Sequence, residues 1–497
     1  MATVYRQEDC AFATDRDALI EGLREALDDD NLLIDDEAMR PYECDGLSAY
    51  RQMPLVVALP SSVEEVQAVL RLCSRLHVPV VARGSGTSLS AGSLPHPQGV
   101  LLSLSRFNQI LSVDDRRRIA KVQPGVRNLA ISEAAAPFGL YYAPDPSSQI
   151  TCSIGGNVAE NAGGVHCLKY GLTVHNVLSV TMLTMDGDLV TLGGESLDNP
   201  GYDLMAAITG SEGMLGVIVD VTVKLLPQPP AKEVLLAGFA DVETAGNAVA
   251  GIIAAGIIPG GLEMMDNPAI RAAEDFVHAG YPVDAAAILI CELDGNPEEL
   301  RDQLEKLCTL LEELGSNDIR VAQTPAEQAS FWAGRKAAFP AVGRISPDYY
   351  CIDGTIPRKR LAEVLRRMQE LSDQYGQRVV NVFHAGDGNL HPLVLYDGNV
   401  PGEFERTEEL GGKILELCVE VGGTVTGEHG VGMEKINQMC VQFPPAEIEQ
   451  FHALKAAFDP HGLLNPGKAI PTLSRCAEFG AMHVHHGQLP HPDIPRF

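Results

Sequence analysis

Positive charge is scarce in this 497-residue sequence: 37 lysines and arginines stand against 66 aspartates and glutamates, a formal net charge of −29. A surface this acidic repels nucleic-acid phosphates and anionic lipid head groups, so neither is expected as a partner. A local basic pocket for a small anion remains compatible with it. No run approaches the roughly 18 apolar residues that a bilayer demands. The first 19 residues lack a basic segment followed by an apolar core, so no signal peptide is expected. The reading is a cytoplasmic protein, with any association with the inner membrane running through partner subunits. The 11 cysteines are odd in number and show no framework spacing, which points to reduced, mostly buried thiols. No Cys-x2-Cys-x2-Cys-x3-Cys run occurs, so this chain carries no obvious iron–sulfur cluster.

What the sequence does have is glycine, 48 residues gathered in short runs, as tight backbone turns require. The length calls for two or three domains. After Pro54 strand and helix alternate. Leu55–Leu59 reads as a strand. Ser61 and Ser62 precede Glu64 and Glu65 in overlapping capping-box patterns. Val63, Val66, Val69, Leu70, Cys73 and Leu76 then recur at helical spacing. Strands follow at 78–82 and 99–104, and a hairpin over 180–190 turns at Asp186-Gly187. Val217, Val219, Val221, Val223 and Leu225 alternate in a long strand. Leu226-Pro-Gln-Pro-Pro230 breaks it, because consecutive prolines cannot continue a ladder. Strands at 234–239 and 287–293 and helices at 244–255 and 297–314 predict a second, α+β domain, and helical patterns return after 445.

The glycine runs admit a nucleotide. Arg83-Gly-Ser-Gly-Thr-Ser-Leu-Ser-Ala-Gly92 follows a strand, and such backbone can turn successive N–H groups toward a phosphate. It lacks the lysine of a P-loop, and position 89 is leucine where a Rossmann fingerprint needs its third glycine. Alone it fits a surface loop equally well. Ser153-Ile-Gly-Gly-Asn-Val-Ala-Glu-Asn-Ala-Gly-Gly164 adds four glycines and two asparagines, room for close approach by a large flat ligand. Pro144-Asp-Pro-Ser-Ser148 and Thr209-Gly-Ser-Glu-Gly-Met-Leu-Gly216 add two rigid turns.

Together these four stretches resemble the FAD-binding domain of the vanillyl-alcohol oxidase/para-cresol methylhydroxylase (PCMH) flavoprotein family. The resemblance implies an α+β fold: a two-subdomain PCMH-type FAD-binding domain, an α+β substrate or cap domain, and C-terminal helices. The corresponding boundaries are an N-terminal helical segment 1–50, the FAD domain 51–229, the substrate and metal domain 230–444, and helices and tail 445–497. It implies that Arg83, Gly84, Ser85, Gly86, Thr87 and Ser88 hold the pyrophosphate. Pro144, Asp145, Ser153, Gly155, Gly156, Asn157, Asn161, Gly163, Gly164, Gly213, Ile218 and Asn465 complete the implied FAD contacts. No motif assigns a histidine to covalent attachment, so noncovalent FAD is expected.

Further on, Arg378–Phe383 reads as a strand leading into His384-Ala-Gly-Asp-Gly-Asn-Leu-His391, and Thr426-Gly-Glu-His-Gly-Val-Gly432 is another glycine-lined loop. A lone histidine is most often structural. Two imidazoles flanking a tight turn, with a loop carboxylate, suit a divalent transition metal with open positions. The same elements recur in the D-lactate and D-2-hydroxyglutarate dehydrogenase branch of the family. That resemblance implies metal ligands His384, His391 and Glu428 for zinc, manganese or iron. It places His429 beside flavin and substrate as the base for the hydroxyl or α-proton.

Phe331-Trp-Ala-Gly-Arg-Lys-Ala-Ala-Phe-Pro340 holds the only tryptophan. A basic residue there is ordinarily a solvated helix face. Arginine offers a bidentate fork for a carboxylate, and the resemblance favours Arg335 as the substrate anchor, with Arg344 a second candidate. Relatives that bind a longer diacid carry lysine where Cys351 stands, and related members carry asparagine where Leu393 stands; both departures point to a short monoacid. Pro41–Tyr50, Gly260–Asp266, Ser346–Cys351, Leu464–Lys468 and Cys476–His486 extend the likeness along the chain to the FAD-linked subunits of bacterial glycolate oxidases. The resemblance then implies oxidation of glycolate and D-lactate, and electron transfer to an iron–sulfur subunit beside a second, FAD-domain-like subunit. The rivals are a stand-alone D-lactate or D-2-hydroxyglutarate dehydrogenase and a non-catalytic electron-transfer subunit. The histidine-rich tail from 482 is expected to be extended.

Overall fold

The computed structural model describes residues 12–196 and 201–476. Val63–Leu76 forms one helix because Val66, Val69, Leu70 and Cys73 fall on one face and are buried there. Ser62 Oγ accepts the Glu65 N–H at 3.2 Å, a cap worth about 1 kcal/mol. The Glu65 carboxylate turns to the N–H of Ser61 at 2.6 Å, so the reciprocal half of the capping box is made one residue early.

The chain divides into two compact units, Met1–Ala162 with Leu172–Pro227 and His429–Phe497, and Gly163–Gly171 with Gln228–Glu428. In the first unit, Val80–Arg83 and Val56–Ala58 flank Val100–Ser103 in parallel. Leu32–Leu33 adds an antiparallel edge, giving a four-stranded sheet. The helix Arg16–Ala26 packs Leu19, Ile20 and Leu23 into the same core. Residues 12–50 are therefore part of this layer rather than a separate helical segment. Their apolar positions supply both a core helix and a strand.

The second half of this unit is a five-stranded antiparallel sheet in the order 110–114, 119–122, 217–224, 177–183, 189–193. Its hairpin turns at Asp186-Gly187, with Gly187 at φ 76°. The strand Val217–Lys224 is central, and Ile218 and Thr222 are buried along with the valines on its other face. The valine alternation thus marks only one of two covered faces.

The second unit is a nine-stranded sheet. Its main path runs 318–321, 231–239, 287–295, 261–266, 379–384, 389–390, 354–355, and strands 348–351 and 392–396 lie beside it. Every pairing is antiparallel, and helices such as Val242–Ala254 and Pro297–Glu313 accompany the strands. Leu226–Pro227 still pairs with Leu140–Tyr141, so the first boundary falls just after Pro227 rather than at 230. The closing boundary falls at Glu428, not 444. Residues 429–444 stay with the first unit because the Glu212 carboxylate accepts the N–H groups of Val431 and Gly432, each at 2.7 Å. The excursion Gly163–Gly171 belongs to the second unit, where Lys169 and Tyr170 bond the buried Asp294.

Cys440 and Cys476, 36 residues apart, form a disulfide. The expectation of reduced thiols therefore fails for this pair, whose helices bring two sulfurs together without any framework spacing. Eight other cysteines among the described residues are free. The histidine-rich tail lies outside the described residues. Among the described residues no helix is long and apolar enough to cross a membrane.

Candidate functional site

The glycine loops of the first unit meet one another. Gly84 lies so close to Ser153 that a Cβ there would stand 2.1 Å from Ser153 Oγ, and the Ser85 N–H donates to that hydroxyl at 3.3 Å. Gly86, at φ 67°, leaves the space that the Arg83 guanidinium fills. Arg83 is folded back into its own domain: it donates to Cys44 O at 2.7 Å and lies over the Tyr42 ring. It supports the loop from behind. Gly155 donates its N–H to Pro124 O and has no room for a Cβ against that proline. Asn157 is buried, and both its amide oxygen and nitrogen lack a hydrogen-bond partner. A buried amide in that state costs a few kcal/mol unless a ligand meets it, so it fits a cofactor contact.

Other implied FAD residues are engaged internally. Asn161, at φ 54°, accepts the Val174 N–H. Asn465 donates to Gly92 O and Glu212 O and accepts from Lys468, so its amide knits the loops together. Asn128 Nδ2 holds the Pro144 carbonyl, with Asp145 half-buried beyond it. Gly213, at φ 71°, faces Ala82 in the strand Val80–Arg83, and Ile218 is buried in the central strand. Thr87 and Ser88 are half-buried, and Gly156 stands beside Ser153. Gly163 and Gly164 fall in the second unit.

The cluster of His384, His391 and Glu428 lies wholly within the second unit, and His429 belongs to the first. Strand register builds it. Glu263 stands directly across from His384, and His384 across from Asn389 at the turn leading to His391. Thr355 pairs with Thr424, bringing in the loop that carries Glu428. Asp353, fully buried, accepts the N–H groups of Gly427 and Glu428 and the Thr426 hydroxyl. The result is one ligand atom each from His384, His391 and Glu428, all within 4.8 Å of one another. Glu428 Oε1 is 3.4 Å from His384 Nε2 and 3.0 Å from His391 Nε2. His384 Nδ1 donates to Glu263 Oε1 at 2.7 Å, which leaves Nε2 as the lone pair aimed at the cluster.

Burial works against the charge on Glu263 and Glu428. The two histidines outweigh it for Glu428, as His384 and Arg335 do for Glu263, and hold both carboxyls below the usual range. Three carboxylates (Glu263, Glu428, Asp353) against the Arg335 guanidinium leave two negative charges when the imidazoles are neutral. Donor chemistry and charge both fit a divalent cation.

Arg335 is 2% exposed, and its Nε donates to Glu263 Oε2 at 2.7 Å. One carboxylate therefore ties the candidate substrate anchor to a candidate metal ligand. Arg335 Nη2 is buried without a hydrogen-bond partner. Lys336 is exposed, and Arg344 is an exposed donor to Asp275 O, so neither joins the cluster. Sequence reasoning missed Glu263 and Asp353. The signal was there: an acid inside the apolar run Gly261-Leu-Glu-Met-Met, and another in Cys351-Ile-Asp-Gly354.

A chain with FAD-type glycine loops and this buried histidine–carboxylate centre has the marks of a flavin-dependent oxidoreductase. Residues 54–193 match the family model described as FAD binding domain, and residues 228–469 the model described as FAD linked oxidases, C-terminal domain. The chain belongs to the FAD-linked oxidase family and is an FAD enzyme. It is 66% identical to the "Glycolate oxidase subunit GlcD" of Escherichia coli (strain K12), over 97% of both chains. It is 33% identical to the "D-lactate dehydrogenase" of Anaerostipes hadrus, over 88% of this chain and 94% of that one. Among solved structures, p-cresol methylhydroxylase with substrate bound shares the fold, with a TM-score of 0.80, 17% identity, and coverage of 94% and 98%.

Proposed function

We propose that this enzyme oxidises glycolate to glyoxylate and D-lactate to pyruvate, and passes its electrons to a separate iron–sulfur subunit. The observation that carries the reading is the convergence of His384, His391 and Glu428, joined through Glu263 to the unfilled corner of the Arg335 guanidinium. FAD, held noncovalently, supplies the two-electron acceptor, and a divalent ion held by His384, His391 and Glu428 would supply a Lewis acid for the 2-hydroxyl.

The chain's own groups do the rest. Arg335 Nη2 takes the substrate carboxylate while Nε stays on Glu263, so the anchor keeps one orientation. The Glu263 carboxylate holds the His384 ring in one tautomer. Asp353 pins the Gly427–Glu428 backbone. His429, next in sequence to Glu428, takes the hydroxyl proton at an imidazole nitrogen, histidine being the side chain best suited to general-base work near neutral pH.

A short monoacid is favoured because Cys351 and Leu393 are cross-strand partners, both buried, two residues from Asp353 and His391 respectively. Neither side chain carries a charge that would pair with a second carboxylate. The electron exit follows from the missing cluster motif and from the subunit naming of the 66% identical relative. A stand-alone D-lactate dehydrogenase is the second reading, supported by the 33% identical relative. Chelation of the holoenzyme is the test: activity should fall to background and return with Zn²⁺, Mn²⁺ or Fe²⁺. Full activity in protein shown to be metal-free would remove the metal from the reading.

A further inference from the structure

Two acids in the glycine loops of the first unit, Glu212 and Glu160, stand outside the residues that the resemblance assigns to FAD. Glu212 lies in Thr209–Gly216 and adopts φ 51°, a left-handed conformation that a non-glycine residue holds only when its surroundings demand it. Its N–H donates to Ala159 O, and Gly210 donates to Val158 O, so the loop is fastened to the end of the helix Ile154–Glu160. That fastening sets Glu212 beside Glu160. Glu212 Oε1 accepts the Val431 N–H and Oε2 the Gly432 N–H, each at 2.7 Å.

Glu160 backs the same loop. A Cβ on Gly430 would stand 1.9 Å from Glu160 Oε2 and 3.1 Å from Glu212 Cδ. Gly430 and Gly432 have φ 79° and 53°, and Lys435 Nζ donates to Gly430 O at 2.7 Å. Ser88 Oγ reaches the His429 carbonyl at 3.5 Å. The backbone on both sides of Gly430 is therefore gripped from three directions.

We propose that Glu212, backed by Glu160, is a positioning residue for His429: the pair holds the Gly430–Gly432 backbone in the one conformation that presents the preceding imidazole. The inference rests on the reading of His429 as the base. Burial raises both carboxyls, and the Glu212 charge raises Glu160 further. The N–H groups of Val431 and Gly432 act against that rise at Glu212, and Lys435 and the Ser88 hydroxyl act against it at Glu160. The other charged groups facing the pair are Asp45, Lys435 and Lys468.

The test is Glu212→Gln, followed by anaerobic flavin reduction with glycolate as a function of pH. An amide offers one acceptor oxygen where two N–H groups need two acceptors, so one N–H of the loop faces an NH2. A misplacement of about 1 Å costs on the order of 10²-fold in rate. The expected result is a loss of about 10²-fold in the limiting reduction rate, a displaced pH profile, and little change in KM, with bound FAD still stoichiometric. A wild-type rate and profile in E212Q would overturn the proposal, as would a loss of rate that merely tracks lost FAD.

Should E212Q fail to fold, Gly92→Ala serves. Its Cβ would stand 2.8 Å from Glu160 Oε1 and 3.5 Å from Glu212 Oε2, so the carboxylates must shift. A slower, pH-displaced reduction is expected, and an unchanged one refutes the role. His429→Ala separates the two readings. If it leaves the rate intact, the base assignment is what fails; if it abolishes reduction while E212Q and G92A do not slow it, the positioning role is what fails.

Discussion

Glu263→Gln is the perturbation that probes the second unit's design most sharply. The native carboxylate is fully buried and uses one oxygen for His384 Nδ1 and the other for Arg335 Nε, both at 2.7 Å. Glutamine keeps the shape but offers one acceptor, so one of the two partners meets an amide N–H, and the charge that both partners face is gone. Loss of such an outer partner of a ligating histidine lowers metal affinity about 10–100-fold, which is about 1.4–2.8 kcal/mol. Truncation to alanine goes further. It leaves the Arg335 guanidinium buried without its counter-charge, a cost of about 3–5 kcal/mol in stability. The assay is calorimetric titration of metal-stripped protein with Mn²⁺ and Zn²⁺, with thermal unfolding of the same samples. Weaker binding in E263Q and a clear drop in Tm for E263A are expected. A folded E263Q that binds metal with wild-type affinity would falsify the claim that Glu263 supports the ligand set.

Two further outcomes follow from the same geometry. His429→Ala should slow flavin reduction by about 10²–10⁴-fold, the usual contribution of a general base, with bound FAD retained; stopped-flow reduction checks it. Glu292 is buried among His166 Nε2, Lys232 Nζ and Trp332 Nε1, and against the cost of burial these partners hold its carboxyl down to about 2. Its folded pKa lies below the unfolded value, so its stabilisation is complete above about pH 4.5 and is lost as pH falls toward 2, about 3 kcal/mol in all. Glu292→Gln should therefore be less stable than the parent at pH 6, by about half as much at pH 3, and nearly equal to it only at about pH 2 and below, by denaturant titration.

Local patterns in the sequence translate directly into structure where a single element decides them. Val63–Leu76 is a helix over the residues its periodicity marks, and Asp186-Gly187 turns its hairpin. The prolines after Leu226 lie within three residues of the unit boundary. The histidines and Glu428 could be read as a group because glycine-rich loops with imidazoles are rare in apolar cores. Long-range pairing was not legible. Glu263 and His384 are 121 residues apart and meet only through strand register. The return of residues 429–444 to the first unit depends on two N–H groups finding Glu212, 219 and 220 residues away. The Cys440–Cys476 bridge likewise depends on helix placement that no spacing rule encodes.

The central claim is that this flavoenzyme acts on a short 2-hydroxy monoacid. Anaerobic mixing of the purified, FAD-loaded chain with glycolate, D-lactate, L-lactate or D-2-hydroxyglutarate, followed through the flavin absorbance, tests it most directly. The account predicts bleaching by glycolate and D-lactate and little by the diacid, because the buried Cys351 and Leu393 carry no charge for a second carboxylate. Rapid bleaching by D-2-hydroxyglutarate alone, or a flavin that stays oxidised with every one of the four acids, would contradict it.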